Sequence, residues 1–358
     1  MSYASLLFPR EEILSVEGPE PIIDLANVED SSGKKLEARP FDFLELTYPT
    51  SDMRRVITSL GERFIDQPRV PGLFLFEGLK GSGKSHLLVT IYHLFSSPSI
   101  ANQWLSKHGI SCKLPSDVIV IHNKFTDLPL ESIWNFIFLK LTGHQAERRI
   151  VQPGLDEVKN ILGDHKLVLI FDELEQGIRS IADPAIRQQN LAFLQMLSEW
   201  GNRSNQVTIF ASVYSDIEEP GATLKRVNPL RVQFAQSSDR DRAKVVLHRI
   251  FKNYLEFDTK KASTVIDSYV NYWARFHTFS ADEYRLRFYE TFPFTPDLLD
   301  VLLKRVPARG GFQNVRGAIG FLANLVRITY EQADIISPAS ATLQDREVLI
   351  RLSDLDVF

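Results

Sequence analysis

Leu73-Phe74-Leu75-Phe76, followed by Gly78-Leu79-Lys80-Gly81-Ser82-Gly83-Lys84-Ser85, decides the reading of this chain. The apolar run is a buried-strand candidate, and a helical pattern begins around Lys84. Between them, Gly78 to Ser85 fit the spacing G-x-x-x-x-G-K-[ST]. Glycines in such a turn let backbone N–H groups converge on phosphate oxygens, where side chains would obstruct the approach. The N-terminus of the following helix adds its positive end at the same point. Nucleotide contacts are therefore expected from Gly78, Lys80, Gly81, Ser82, Gly83, Lys84 and Ser85. Lys84 would reach the β and γ phosphates of ATP, and the Ser85 hydroxyl would ligate Mg²⁺. His86 closes this stretch and is counted with the nucleotide-binding residues, its ring expected to turn toward the surrounding shell and not to take part in catalysis.

A magnesium site needs a second protein group, usually an acid at the tip of a neighbouring strand. Leu167-Val168-Leu169-Ile170-Phe171-Asp172-Glu173 supplies it. Asp172 is the candidate for holding the metal, directly or through water. Glu173 is the candidate for orienting and polarising an attacking water, which favours hydrolysis over transfer to a second substrate. Val207 to Ala211 leads into Ser212-Val213-Tyr214-Ser215, where Ser212, and after it Ser215, would sense the γ-phosphate or position the water. A plain turn serine accounts for either position almost as well. Arg226 and Arg231 precede or open a fifth apolar run, and a guanidinium there would neutralise transition-state charge, within the subunit or across to a neighbour. Arg316 opens a late helical stretch, from which it would swing onto the nucleotide. For all three arginines the competing account is an ordinary exposed side chain.

Outward from these motifs, short apolar runs alternate with amphipathic segments. Val118–Ile121, Leu167–Phe171, Val207–Ala211 and Val232–Phe234 join Leu73–Phe76 as strand candidates, with helical patterns near 51–65, 84–97, 129–143, 154–163 and 186–201. Continuous aliphatic runs separated by helices predict a parallel sheet covered on both faces, and right-handed crossovers make it a doubly wound α/β layer. Beyond about residue 239 the strand pattern stops. Helices are expected over 239–254, 261–276, 296–305 and 314–332, the first capped by Ser237-Ser238. The expected organisation is an N-terminal arm over 1–40, an α/β nucleotide-binding domain over 41–236 and an all-helical lid over 237–358. Trp134, Trp200 and Trp273 lie on apolar helical stripes and are expected in the core.

Composition limits what else the chain can be. Its 358 residues are 44% hydrophobic and 24% charged, which excludes a disordered or collagen-like polymer. No apolar run is long enough to cross a bilayer, and the first residues lack a signal-peptide layout. A single cysteine, Cys112, can form neither an internal disulfide nor a zinc site by itself. A cytoplasmic, membrane-free protein is expected. The formal net charge of −4 supplies no global field for nucleic acid, so a nucleic-acid partner is allowed but not indicated. The basic residues Arg240, Arg242, Lys244, Arg249 and Lys252 alternate with Asp239 and Asp241 and are expected to form a solvated helix face.

Phosphate loop, Asp-Glu strand, polar strand tip, arginines near a fifth strand and a helical lid with its own arginine occur here in that order. The arrangement resembles an AAA+ type P-loop ATPase over roughly residues 41 to 333. That resemblance implies a five-stranded sheet ordered 5-1-4-3-2, with ATP held at the junction of sheet and lid. Two stretches, Glu290 to Leu302 and Gly311 to Leu322, look like a narrower family of AAA+ ATPases found in bacterial phage-defence islands. Members of that family are usually much longer, so a compact member or a truncated core is expected. The resemblance implies a homo-oligomer, or a complex with other defence proteins, in which ATP turnover drives motion. Two rivals stand beside it. A slow nucleotide-gated assembly switch would use the same loop. A P-loop kinase would too, although Asp172-Glu173 and the arginines near the fifth strand argue against it.

Overall fold

The five apolar runs become five strands of one sheet in the computed structural model of the chain: β1 (Leu73–Glu77), β2 (Val118–Lys124), β3 (Lys166–Asp172), β4 (Val207–Val213) and β5 (Leu230–Gln233). The structure describes residues 2–15, 23–78, 81–125, 132–143, 151–214, 221–234, 238–306, 314–342, 344–346 and 348–350. The strands lie in the order β2-β3-β4-β1-β5, all neighbours parallel, which is the 5-1-4-3-2 order that the resemblance implies. Every residue of β1 and β4 is buried, as continuous apolar runs in a sheet covered on both faces require.

Alternation along the strands sorts their side chains onto two faces. Leu73 and Leu75, Leu167, Leu169 and Phe171, and Ile209 and Ala211 join one core that includes Trp134, Phe193 and Leu197. Helices Ile133–Thr142 and Pro184–Arg203 supply those partners. The opposite face carries Phe74, Phe76 and Phe210, whose rings pack on one another. Arg63, buried at the end of helix Ser51–Arg63, fastens the start of β4 by donating to Thr208 Oγ1 at 3.1 Å and to the carbonyls of Ser204 and Val207. Burial lowers its guanidinium to about 10.

The chain divides into two units, one of residues 23–45 and 51–236, the other of 1–22, 46–50 and 237–358. Residues 1–40, expected as one arm, are thus shared between both. In the helical unit Tyr3, Leu7 and Ile13 enter the same core as Leu247, Ile250 and Ile266. Backbone pairing fixes the segment there: Arg10 N–H donates to Ile250 O at 2.9 Å and Lys252 N–H to Phe8 O at 3.0 Å. The Arg10 guanidinium donates to the His248 carbonyl as well. These bonds make the N-terminal residues a wall of the helical core.

Helices of this unit run over Asp239–Ile250, Thr259–Trp273, Ala281–Thr291, Pro296–Asp300 and Asn314–Thr329. Ser238 caps the first of them by accepting from Asp241 N–H at 3.0 Å. The stretch expected as one helix over 296–305 changes to a π-helical turn at Val301–Arg305. The basic face over 240–252 is not uniformly solvated. Arg249, with a side chain only 12% exposed, pairs with Glu12 at 2.6 Å, and Arg240 pairs with Glu290 at 2.7 Å. Trp134 and Trp200 are buried, but Trp273 is 38% exposed at the last turn of its helix, beside exposed Tyr272 and Phe276. At that last turn its ring contacts are with Tyr269, Tyr272 and His277, near neighbours in its own sequence. Among the described residues no helix is long and apolar enough to cross a membrane.

Candidate functional site

The carboxyl end of the sheet gathers Gly78, Gly81 to Ser85, Asp172, Glu173 and Ser212. Gly78 follows β1 directly, and Gly78, Gly81 and Gly83 have φ of +152°, +78° and +102°, conformations closed to most L side chains. A Cβ on Gly78 would press on Ser82 Oγ at 3.0 Å and Phe234 Cβ at 3.2 Å, which would have to give way. Gly83 sits at the N-cap of helix Lys84–Ser96 without a capping side chain, which leaves the helix N-terminus to whatever occupies the loop.

Lys84 lies in the first turn of that helix, almost wholly buried, and its ammonium donates to Gly78 O at 2.6 Å. Burial pushes its pKa down, while the nearby Asp172 and Glu173 carboxylates pull it back up. Inside the loop, Ser82 Oγ is buried and has no hydrogen-bond partner among the described residues. Lys80 and Ser215 lie outside the described residues. Ser85 occupies the first turn of the helix, and the ring of His86 packs in a tilted arrangement on Phe43, with centroids 4.8 Å apart.

Register explains how the acids and the β4 serine meet. β3 and β4 run parallel with Ile170 opposite Phe210, so Asp172 and Ser212 stand side by side on one face. Ser212, fully buried, donates its hydroxyl proton to Asp172 Oδ1. Its oxygen accepts the Glu173 N–H at 2.8 Å, which is shared with Asp172 Oδ1 at 3.1 Å. Glu173 itself has φ 54° and ψ 37°, a left-handed conformation that costs a non-glycine residue about 1–2 kcal/mol. Ser212 is thus hydrogen-bonded to both acidic residues.

The arginines are placed unequally. Arg231 on β5 grips Glu77, the last residue of β1, with two parallel bonds, Nε to Oε1 at 3.0 Å and Nη2 to Oε2 at 2.6 Å. It is thereby engaged within its own chain. Arg226 is exposed in the 3₁₀ turn Lys225–Val227, ahead of β5. The Val227 carbonyl accepts from Asn202, whose Oδ1 accepts from Gly72 N–H just before β1. That turn is at the amino end of the strands, opposite the phosphate loop, so Arg226 does not face the loop of its own sheet. The backbone of Arg316 lies in helix Asn314–Thr329, and its side chain is outside the described residues.

Sequence reasoning passed over three residues here. Glu77 carried the same signal as Asp172, an acid closing an apolar strand. Glu175, buried, accepts from Tyr214 N–H at 3.1 Å and pairs with Arg179 at 2.8 Å, tying the end of β4 to helix Leu174–Ser180. Phe234 lies over Gly78 and Gly83 and packs on Phe76.

This arrangement fits a magnesium nucleotide. The positive φ values of the three glycines disfavour side chains in the loop, Ser82 Oγ is an unpartnered polar atom within it among the described residues, and Lys84 supplies the positive charge. Mg²⁺ typically takes one or two protein oxygens beside phosphates and waters, so Ser85 and Asp172 make a sufficient donor set. No grouping of three or more His, Cys, Asp or Glu residues able to hold a metal occurs among the described residues.

Comparison with known proteins gives a profile match to the DUF499 N-terminal domain over residues 10–108, which spans the phosphate loop and the helix after it. No curated protein matches the chain. Among solved structures, the Aeropyrum pernix ORC2 protein in its ADP form is 14% identical, with 98% of this chain and 73% of that one covered and a TM-score of 0.42. Caenorhabditis elegans PCH-2 is 14% identical over 98% of this chain and 74% of that one, TM-score 0.36. Aquifex aeolicus DnaA bound to AMPPCP is 12% identical over 84% and 74%, TM-score 0.27.

Proposed function

We propose that the chain binds ATP with Mg²⁺ and hydrolyses the β–γ phosphoanhydride. The observation that carries this is the Asp172–Glu173 pair, locked by Ser212 at the strand tip and electrostatically coupled to Lys84 of the glycine loop. In this reading the loop N–H groups and Lys84 bind the β and γ phosphates, and Ser85 and Asp172 hold the metal. Bound Mg²⁺ would neutralise charge on the phosphates. Glu173 orients a water toward the γ-phosphorus. The strained backbone at Glu173 supports this role, since residues held in sparsely populated conformations cluster at functional sites.

The sheet order and helical unit support an AAA+ type ATPase in which turnover drives motion. We extend the proposal to a cytoplasmic oligomer or hetero-complex serving anti-phage defence or DNA processing, on the resemblance of Glu290 to Leu302 and Gly311 to Leu322 to that family. Arg226, exposed and remote from its own loop, suits a role at a neighbour's site, and Arg316 suits one on the lid. Phosphate release from Mg-ATP tests the enzymatic core. Wild type should release phosphate to water and Glu173→Gln should bind ATP without releasing it. A wild type that binds ATP without turnover, with or without DNA, would favour the switch instead.

A further inference from the structure

The phosphate loop is gripped at its root by the last strand of the sheet. β5 pairs with β1 so that Arg231 lies opposite Leu75, two residues short of Glu77 on the same face. From there the guanidinium reaches diagonally to both oxygens of the Glu77 carboxylate, which is only 5% exposed. Glu77 is bonded directly to Gly78, whose carbonyl accepts from Lys84. On the other face of β5, Phe234 closes over the loop: its Cβ is 3.2 Å from where a Gly78 Cβ would stand, and its ring 3.9 Å from that of Gly83. The loop is thus held from both faces of one edge strand.

We propose that Arg231 is a positioning residue, which fixes the phosphate-binding loop through Glu77. A bidentate fork sets the orientation of a carboxylate as well as its position, which a lysine's single point charge does not. With Glu77 fixed, the peptide that enters Gly78 is fixed, and the loop is preorganised before any ligand arrives. Only the affinity consequence rests on the ATP reading; the order of the free loop does not.

The test separates the two. Arg231→Met alone would bury an unpaired carboxylate and risks unfolding, so it is combined with Glu77→Gln, because replacing a buried ion pair by neutral groups of similar volume is often close to neutral for stability. In the nucleotide-free protein, amides from Gly81 to Ser85 should exchange hydrogen about tenfold faster in the double variant, at an unchanged melting temperature. Arg231→Lys, which keeps the charge but not the fork, should fall between. The Mg-ATP dissociation constant should rise about tenfold in the double variant, in step with the exchange. Wild-type exchange over Gly81 to Ser85 in the double variant would overturn the proposal. If wild type bound no ATP at all, the ATP reading would fail, and the exchange comparison would still decide the positioning role.

Discussion

Replacing Ser212 with Ala removes one hydroxyl and two hydrogen bonds at the centre of the acidic pair. The donated bond ends on the Asp172 carboxylate, and bonds to charged groups contribute about 1.5–3 kcal/mol, so the folded state should lose about 2 kcal/mol. The accepted bond matters for turnover. Glu173 sits in a left-handed conformation that costs about 1–2 kcal/mol, offset by two acceptors on its N–H at 2.8 and 3.1 Å. Removing the shorter withdraws about 1 kcal/mol, which lowers the ratio of in-place to displaced Glu173 about fivefold. Phosphate release at saturating Mg-ATP should therefore fall by up to about fivefold, while ATP affinity, set by the loop and Lys84, stays within about twofold. The assay is steady-state phosphate release at a temperature where urea titration shows both proteins folded. Unchanged turnover in Ser212→Ala would refute the idea that this hydroxyl holds the catalytic geometry. A loss that appeared wholly as weaker ATP binding would place Ser212 on the phosphate instead.

Glu173→Gly should raise stability by about 1 kcal/mol in urea unfolding, because glycine adopts φ near 54° without strain, and should abolish hydrolysis. Arg226→Ala should leave ATP binding intact and lower turnover, and mixing it with Lys84→Ala should restore some activity if Arg226 completes a neighbour's site; no recovery at any mixing ratio would assign it to the surface. His93 is buried with Nε2 on the Glu37 carbonyl at 2.9 Å, and burial lowers its pKa to about 4 from 6.5. Above pH 6.5 it is neutral folded or unfolded; below, the unfolded chain takes up a proton that the folded chain refuses. Stability should thus decline between pH 6.5 and 4, by about 2 kcal/mol from His93 at pH 5, and His93→Gln should flatten that part of the urea-midpoint profile.

The elements that were legible are those whose signal is local. Five apolar runs gave five strands, and the glycine spacing followed by Lys84-Ser85 located the loop, because backbone and side-chain demands coincide within a few residues. Elements without such coincidence were missed. Helix Pro98–Lys107 begins on a proline after two serines and reads as a break, and helix Ala281–Thr291 buries little beyond Phe288 and Thr291, so it has no apolar stripe to find. The N-terminal segment places Tyr3, Leu7 and Ile13 in the helical core through short turns with no period. Within the site, Asp172 and Glu173 were readable as an acidic strand end. The Ser212 and Arg231 partnerships were not, because they depend on β4 lying beside β3 and β5 beside β1. Glu77 and Arg231 are 154 residues apart, and only the sheet order makes them neighbours.

Calorimetric titration of Mg-ATP into wild type, Lys84→Ala and Glu173→Gln tests the nucleotide site most directly. Loss of one charge-assisted partner of the phosphates, at about 1.5–3 kcal/mol, should weaken binding to Lys84→Ala by about ten- to a hundredfold. Glu173→Gln should bind as tightly as wild type, since its carboxylate acts on water and not on phosphate. Equal affinity in Lys84→Ala and wild type would contradict the assignment of the glycine loop as the phosphate site.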